Sequence, residues 1–316
     1  MLPTRTVDVG WTTTASDVVF PLSPDIVSQA TERIDQAARA YVRESTAALR
    51  LLGIPSAIWR LDFTINDLDG RLIALDQPQG GAFESPAGTV FAFEAEDRPL
   101  GIGLLSAISP DFRHRLARLL RSWPLVVVLV APGLENDDHM WLGKDHVHHG
   151  LDELPDIGYL IIRADPGQTE YHPLAYRSWS TVASEGDKSY GARLGWWSPI
   201  HGIDELPDDD YPLVLKPRRG RRGEGLIIAA GSSGPLTPDM VSREQAEKAL
   251  LDSPDGMYLQ PWRPPLRFGD GNLILRVFFG YTGPDRWQCL GGAWALDNKA
   301  VVHGSETTIF GPAVPV

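Results

Sequence analysis

The sequence predicts a mixed α/β (α+β) protein with a cleft between subdomains, and three stretches carry that prediction. Residues 111–122 read as an amphipathic helix, and Leu125–Val130 follows as an unbroken apolar run, the pattern of a strand covered on both faces and paired in parallel. Beyond Asp255-Gly256 the chain turns strand-rich: Met257–Gln260, Leu273–Gly280 and Gly292–Leu296 are parted by glycine and proline turns, with Ala300–His303 as a fourth candidate. Between these regions lies Asp210–Ala230, where an apolar strand ends on Lys216, a turn carries glycines and arginines, and a second apolar strand begins at Leu226.

In chain order, residues 1–24 are polar and turn-rich. Ser23-Pro24-Asp25 then opens a helix whose apolar positions recur at helical spacing from Ile26 to Leu52, until Gly53 and Pro55 stop it. Ala57–Ile65 alternates as a strand, Asn66–Gly70 turns, and Arg71–Asp76 returns, a hairpin announced by Asp69-Gly70. A short strand is expected near Gly88–Phe93. After the helix and buried strand at 111–130, a polar loop carries His139, His146, His148 and His149, read as exposed loop histidines rather than a metal site because no nearby cysteine or ordered helix completes a tetrahedron. Leu160–Arg163 is the next strand. Tyr171, Tyr176, Trp179, Tyr190, Trp196 and Trp197 make the following region dense in aromatics, which packing explains first. Thr237-Pro238-Asp239-Met240 is expected to start a helix ending near Leu251. Residues 1–110, 111–205 and 206–316 are expected to form an N-terminal segment with the helix and hairpin, a central α/β subdomain and a region holding the Lys216 strands, all in one compact unit.

Composition bounds the function. With 316 residues and 43% hydrophobic content the chain can bury a large core. A net charge of -12 argues against nucleic-acid partners, since a phosphate backbone demands a basic field and here one exists only near residues 216–222. One cysteine, Cys289, excludes an internal disulfide. No charged start precedes an apolar core, and the longest apolar runs, such as Pro124–Pro132, are too short for a membrane span, so a cytoplasmic protein is expected. The residues leave a homo-oligomer open.

The candidate chemistry starts at Lys216. Glycines at 220, 223 and 225 let backbone amides approach phosphate oxygens, and Lys216 adds a point charge from the end of a strand. An exposed basic hairpin would look the same. Arg60 and Asp62, two apart on a strand, share a face. Asp76 closes the return strand and would join Asp62 around a cation if the register set them opposite; a surface charge pair and a turn cap account for these residues equally well. Both aspartates are expected at a polar cleft, where substitution harms turnover more than stability. Arg276 interrupts an apolar strand and should face a rim or a cleft. Gln260 ends a strand where an adenine edge could be read, and Ser305, in His303–Thr308, is expected to help close the site.

In order, Arg60-x-Asp62, the hairpin, Lys216-Pro217 with Gly220, Gly223, Glu224 and Gly225, Tyr258-Leu-Gln260, Pro264-Pro265-Leu266, and the Gly291-Gly292 and Ser305 segments resemble the ATP-grasp ligase domain of glutathionylspermidine synthases over roughly residues 55–316, without the amidase domain. The resemblance implies an ATP-grasp-like fold with a nucleotide cleft, ATP and Mg²⁺ as cofactors, and amide formation from a small-molecule or peptide carboxylate and an amine through an acyl phosphate. It implies Arg60 near the transferred phosphate with Ser305 as a second catalytic residue, Asp62 and Asp76 as metal ligands, and Lys216, Gly220, Gly223, Glu224, Gly225, Gln260 and Arg276 around the nucleotide. Asp76-Gln77-Pro78 stands where the family carries Glu-x-Asn. A small-molecule kinase and a catalytically degenerate binding domain are the competing readings.

Overall fold

The computed structural model describes residues 2–9, 11–44, 58–96, 101–122, 126–129, 147–148, 159–162, 188–206, 212–218, 225–231, 240–253, 255–283, 286–299 and 307–316. The N-terminal stretch, although polar, forms three short strands, β1 (Arg5–Asp8), β2 (Thr12–Ala15) and β3 (Phe20–Leu22). Helix α1 (Pro24–Glu44) follows, and the Ser23 hydroxyl accepts from the Ile26 amide at 3.4 Å, as the Ser-Pro-Asp signal predicts. The rest of the helix predicted to Leu52 lies outside the described residues.

Strand β4 (Ile58–Asn66) and strand β5 (Thr89–Glu96) come next, then helices α2 (Ile102–Ile108) and α3 (Pro110–Ser122). Strands β6 (Val126–Leu129), β7 (Val147–His148) and β8 (Tyr159–Ile162) form a small parallel sheet with β6 in the middle, as the apolar run at 125–130 predicts. His139, His146 and His149 lie outside the described residues, while His148 falls on β7. Helix α4 (Ser189–Arg193) leads to β9 (Ser198–Ile200), and β10 (Leu213–Pro217) pairs antiparallel with β11 (Ile227–Ala229), the expected strand–loop–strand. Helix α5 (Arg243–Leu251) precedes β12 (Met257–Pro261), β13 (Leu266–Phe268), β14 (Gly271–Gly283), β15 (Arg286–Asp297) and β16 (Ile309–Pro315). The candidate strand Ala300–His303 lies outside the described residues. Among the described residues no helix is long and apolar enough to cross a membrane.

A nine-stranded sheet runs β1-β2-β16-β15-β14-β4-β5, with β13 on β14 and β3 on β16. One face buries Trp59, Leu61, Phe63, Ile65, Leu275, Val277, Phe279 and Trp294 against α1. The other takes Ile274, Phe278 and Leu290 against Ile102, Phe112, Leu116 and Leu119 of α2 and α3. A separate four-stranded antiparallel sheet, β11-β10-β12-β9, buries Leu213, Leu215 and Met257 against Ala246 and Leu250 of α5. Strand periodicity then turns Val214 and Lys216 of β10 to its opposite face.

Two predicted elements are corrected. The turn at Asp67–Gly70 forms, with Gly70 at φ 78, the Asp67 side chain accepting from the Asp69 and Arg71 amides, and Asn66 bridging Leu72. Yet Arg71–Asp76 is no return strand. The flanks of β4 are taken by β14 over Ile58–Phe63 and by β5 over Arg60–Asn66, so the chain after Leu72 bridges β13 instead, Ala74 opposite Arg267. The helix expected from Thr237 starts at Arg243. Val241 bridges Ala229 in an extended pairing that a helix forbids, and Ser242 with Gln245 supplies a reciprocal capping box.

Candidate functional site

The described site lies where the open edge of the large sheet, β5, meets the inner face of the small one. On β4 the odd positions point into the α1 core, so Arg60 and Asp62 emerge together on the opposite face, as their spacing predicts. Both are buried: Arg60 Nε donates to Asp62 Oδ1 at 2.8 Å, and Nη2 donates to Asp62 Oδ2 at 3.1 Å. The register sets Arg276 of β14 opposite Asp62, with its Nε 3.6 Å from Oδ2. Asp62 is thus a bridge between two guanidiniums.

A bulge supplies the remaining carboxylates. Asp62 faces Glu94 but Phe63 faces Ala92, so Phe93 is the extra residue of β5. Val90 and Ala92 pack towards the α1 core, and so does Ala95. Strict alternation would send Glu94 and Glu96 into that core; the bulge shifts the parity and turns them to the Arg60 face. Arg60 Nη2 then meets Glu96 Oε2 at 2.9 Å, and Lys188 Nζ lies 3.7 Å from Glu94 Oε1.

The small sheet reads the backbone of this edge with side chains. Lys216 Nζ donates to the Phe93 carbonyl at 2.6 Å, and Gln260 Nε2 donates to the Ala92 carbonyl at 3.2 Å. The Tyr190 hydroxyl accepts from the Ala95 amide at 3.0 Å and donates to the Ala95 carbonyl at 3.1 Å. The exposed edge of a sheet is a template for unwanted pairing, and here it is occupied. Lys216 also sits 4.4 Å from the centroid of the Trp197 ring.

Electrostatics follow from this burial. Desolvation lowers the Lys216 ammonium to about 8, with Glu94 opposing and nearby Lys188 reinforcing the shift. Glu96, a third of whose side chain still reaches solvent, is pushed up to about 7 by burial against the pull of Arg60, with Glu94 adding repulsion. Burial alone would lower Arg60, but Asp62 and Glu96 more than offset it and hold its proton more firmly than usual. Arg276 shifts down, because burial outweighs the attraction of Asp62. Among the described residues, the cations Arg60, Arg276, Lys188 and Lys216 face the carboxylates Asp62, Glu94 and Glu96, which leaves one positive charge in excess.

Of the predicted site residues, Arg60, Asp62, Arg276, Lys216 and Gln260 come together here. Asp76 does not. It is exposed and sits across from neither Asp62 nor its neighbours, because the chain beyond Leu72 bridges β13 rather than β4. Gly225, at φ 68, is exposed beyond the end of β10, and Gly220, Gly223, Glu224 and Ser305 lie outside the described residues. Sequence reasoning missed Glu94, Glu96 and Lys188, and placed Trp197 in an aromatic cluster that packing explained first. The signal for the two acids is the apolar/polar alternation Phe93-Glu94-Ala95-Glu96, which sets them together on one face; Lys188 sits alone between polar residues and offers none.

A magnesium ion shared by Asp62 and Asp76 does not fit these residues. Both Asp62 oxygens already accept from Arg60, and Asp76 lies exposed on the segment that bridges β13. The chain matches no protein-family model and no curated protein.

Proposed function

We propose that the junction of the two sheets is the nucleotide site of an ATP-dependent carboxylate–amine ligase of ATP-grasp type. The observation that carries the reading is the approach of Lys216, from one sheet, to the Arg60–Asp62–Arg276 cluster of the other, with Lys188 alongside and net positive charge. A polyphosphate lying in that junction would meet two ammonium groups on one side and two guanidiniums on the other. ATP supplies the γ-phosphoryl group that activates a carboxylate as an acyl phosphate, which an amine resolves to an amide with loss of phosphate. Lys188 and Lys216 hold phosphate oxygens. Arg60 and Arg276 face the charge that develops at the transferred group, their forks held by Asp62. Glu96, at the more solvent-exposed rim and titrating near neutrality, takes the proton that the attacking amine loses. Magnesium enters this reading as the counter-ion that ATP carries, not as a resident of Asp62 and Asp76.

A degenerate nucleotide-binding domain is the second reading, and the displacement of Asp76 from Asp62 favours it. Incubation with Mg–ATP and mixed carboxylates and amines separates the two. The ligase yields ADP, phosphate and an amide, and ¹⁸O from a labelled carboxylate appears in the phosphate. A phosphorylated hydroxyl product would mark a kinase instead. ATP binding without turnover across the screen would leave the degenerate domain.

A further inference from the structure

The Trp197 indole touches both lysines of the site. Its ring face lies under the Lys216 ammonium, 4.4 Å from centroid to Nζ, and its Nε1–H donates to the Lys188 carbonyl at 2.7 Å. The Lys188 amide in turn donates to the Arg218 carbonyl at 3.1 Å, tying this segment to the residue two beyond Lys216. The ring itself has little freedom. It is 2% exposed, Tyr190, Trp196 and Tyr258 stand around it, and it fills space left by Gly191, where a Cβ would lie 2.0 Å from the indole Cζ2. An aromatic face is one of the few apolar surfaces that stabilises a buried cation.

We infer that Trp197 is the positioning residue of the cationic pair, its ring face keeping Lys216 charged in a desolvated place and its N–H fixing the backbone that presents Lys188, so that both ammonium groups are spaced for the oxygens of one polyphosphate. The ligand rests on the nucleotide reading above; the effect on Lys216 does not. The other charged groups that face Lys216 are Glu94 of β5 and Asp62 of β4, which favour its charge, and Lys188, which opposes it. Glu94 and Asp62 lie on strands of the other sheet, so removing the ring takes away attraction while leaving them in place; the loss of the Nε1–H bond to the Lys188 carbonyl is read separately in the Lys188 signal.

The chain has five lysines, so a ¹³C-lysine-labelled sample gives a side-chain spectrum in which Lys216 is assigned by its loss in Lys216→Arg. The parent should show Lys216 titrating at about 8. Trp197→Leu, which keeps an apolar wall without a ring face, should lower that midpoint by about one pH unit or more. Trp197→Phe, which retains a face but not the N–H, should lower it less while shifting the Lys188 signal, and it keeps the test open where Trp197→Leu does not fold. A midpoint unchanged or raised in a folded Trp197 variant overturns the positioning role. Mg–ATP and tripolyphosphate calorimetry on the same samples tests the other half: weakening in step with the lysine shift supports the pair as a polyphosphate holder. Predicted lysine shifts with no binding of either probe to the parent would leave the positioning role standing and overturn the nucleotide reading.

Discussion

Asp62 joins the buried Arg60 guanidinium to the half-buried one of Arg276, and replacing it with Asn leaves both facing each other with their shared countercharge gone. Loss of one partner of a buried pair costs on the order of 3–5 kcal/mol, so Asp62→Asn should lower the urea midpoint sharply. The sequence suggested an aspartate whose loss harms turnover more than folding; the ion pairs that Asp62 makes predict a cost to folding as well. Asp76→Asn, at an exposed position, should stay within about 0.5 kcal/mol of the parent. Equal and small effects of the two substitutions would contradict the bridging role. Glu96 gives a pH signature. Because its folded value is raised to about 7, the folded state holds a proton between roughly pH 4.5 and 7 that the unfolded state has released, and this group's contribution to stability falls as pH rises through that window. Glu96→Gln should therefore gain on the parent between pH 5 and 8, measured as the difference in urea midpoints. Lys216 has the opposite slope. Its lowered value means that the folded state has shed a proton that the unfolded state keeps up to about 10.5, so its contribution rises between about pH 8 and 10.5.

At the scale of elements, β5 is the strand on which the site depends, and its edge is secured by three side chains rather than by another strand. Tyr190→Phe deletes both hydrogen bonds to Ala95 while keeping the ring, and should cost about 1–3 kcal/mol in denaturant unfolding, with faster amide exchange concentrated in β5. Uniformly slow exchange in the variant would show that the edge is held by something else. How much of this was legible varies with the range of the interactions. The Ser23 cap, the central parallel strand within 125–130, the Lys216 hairpin and the shared face of Arg60 and Asp62 are written in short stretches of sequence, and sequence pattern finds them. The Asp69-Gly70 turn was equally legible, but its return strand was not, because long-range pairing with β14 and β5 claimed the flanks of β4. The bulge at Phe93 was missed for the same reason: only a partner strand reveals that one residue is extra. Strands β1 and β2 are too short and polar to announce themselves and β3 is only three residues long, and β16 supplies part of the reason they form by pairing with β2 and β3 in parallel.

For the whole molecule, the large sheet is covered on both faces and the small one by α5, and among the described residues the surface at which they meet is held by charge, hydrogen bonds and the aromatic cluster of Tyr190, Trp196, Trp197 and Tyr258. A chain of net charge -12 concentrates four cations there, in reach of its own carboxylates. On the proposed function, this is the place that takes an anion of several charges. The central claim is that Lys216 belongs to a polyphosphate site. Calorimetric titration of Mg–ATP into the parent and into Lys216→Ala tests it directly. The parent should bind, and the variant should bind more weakly by on the order of 1.5–3 kcal/mol, the contribution of one charge-assisted contact, while retaining its fold. Equal affinity in the two proteins, or no binding to the parent, would contradict the account.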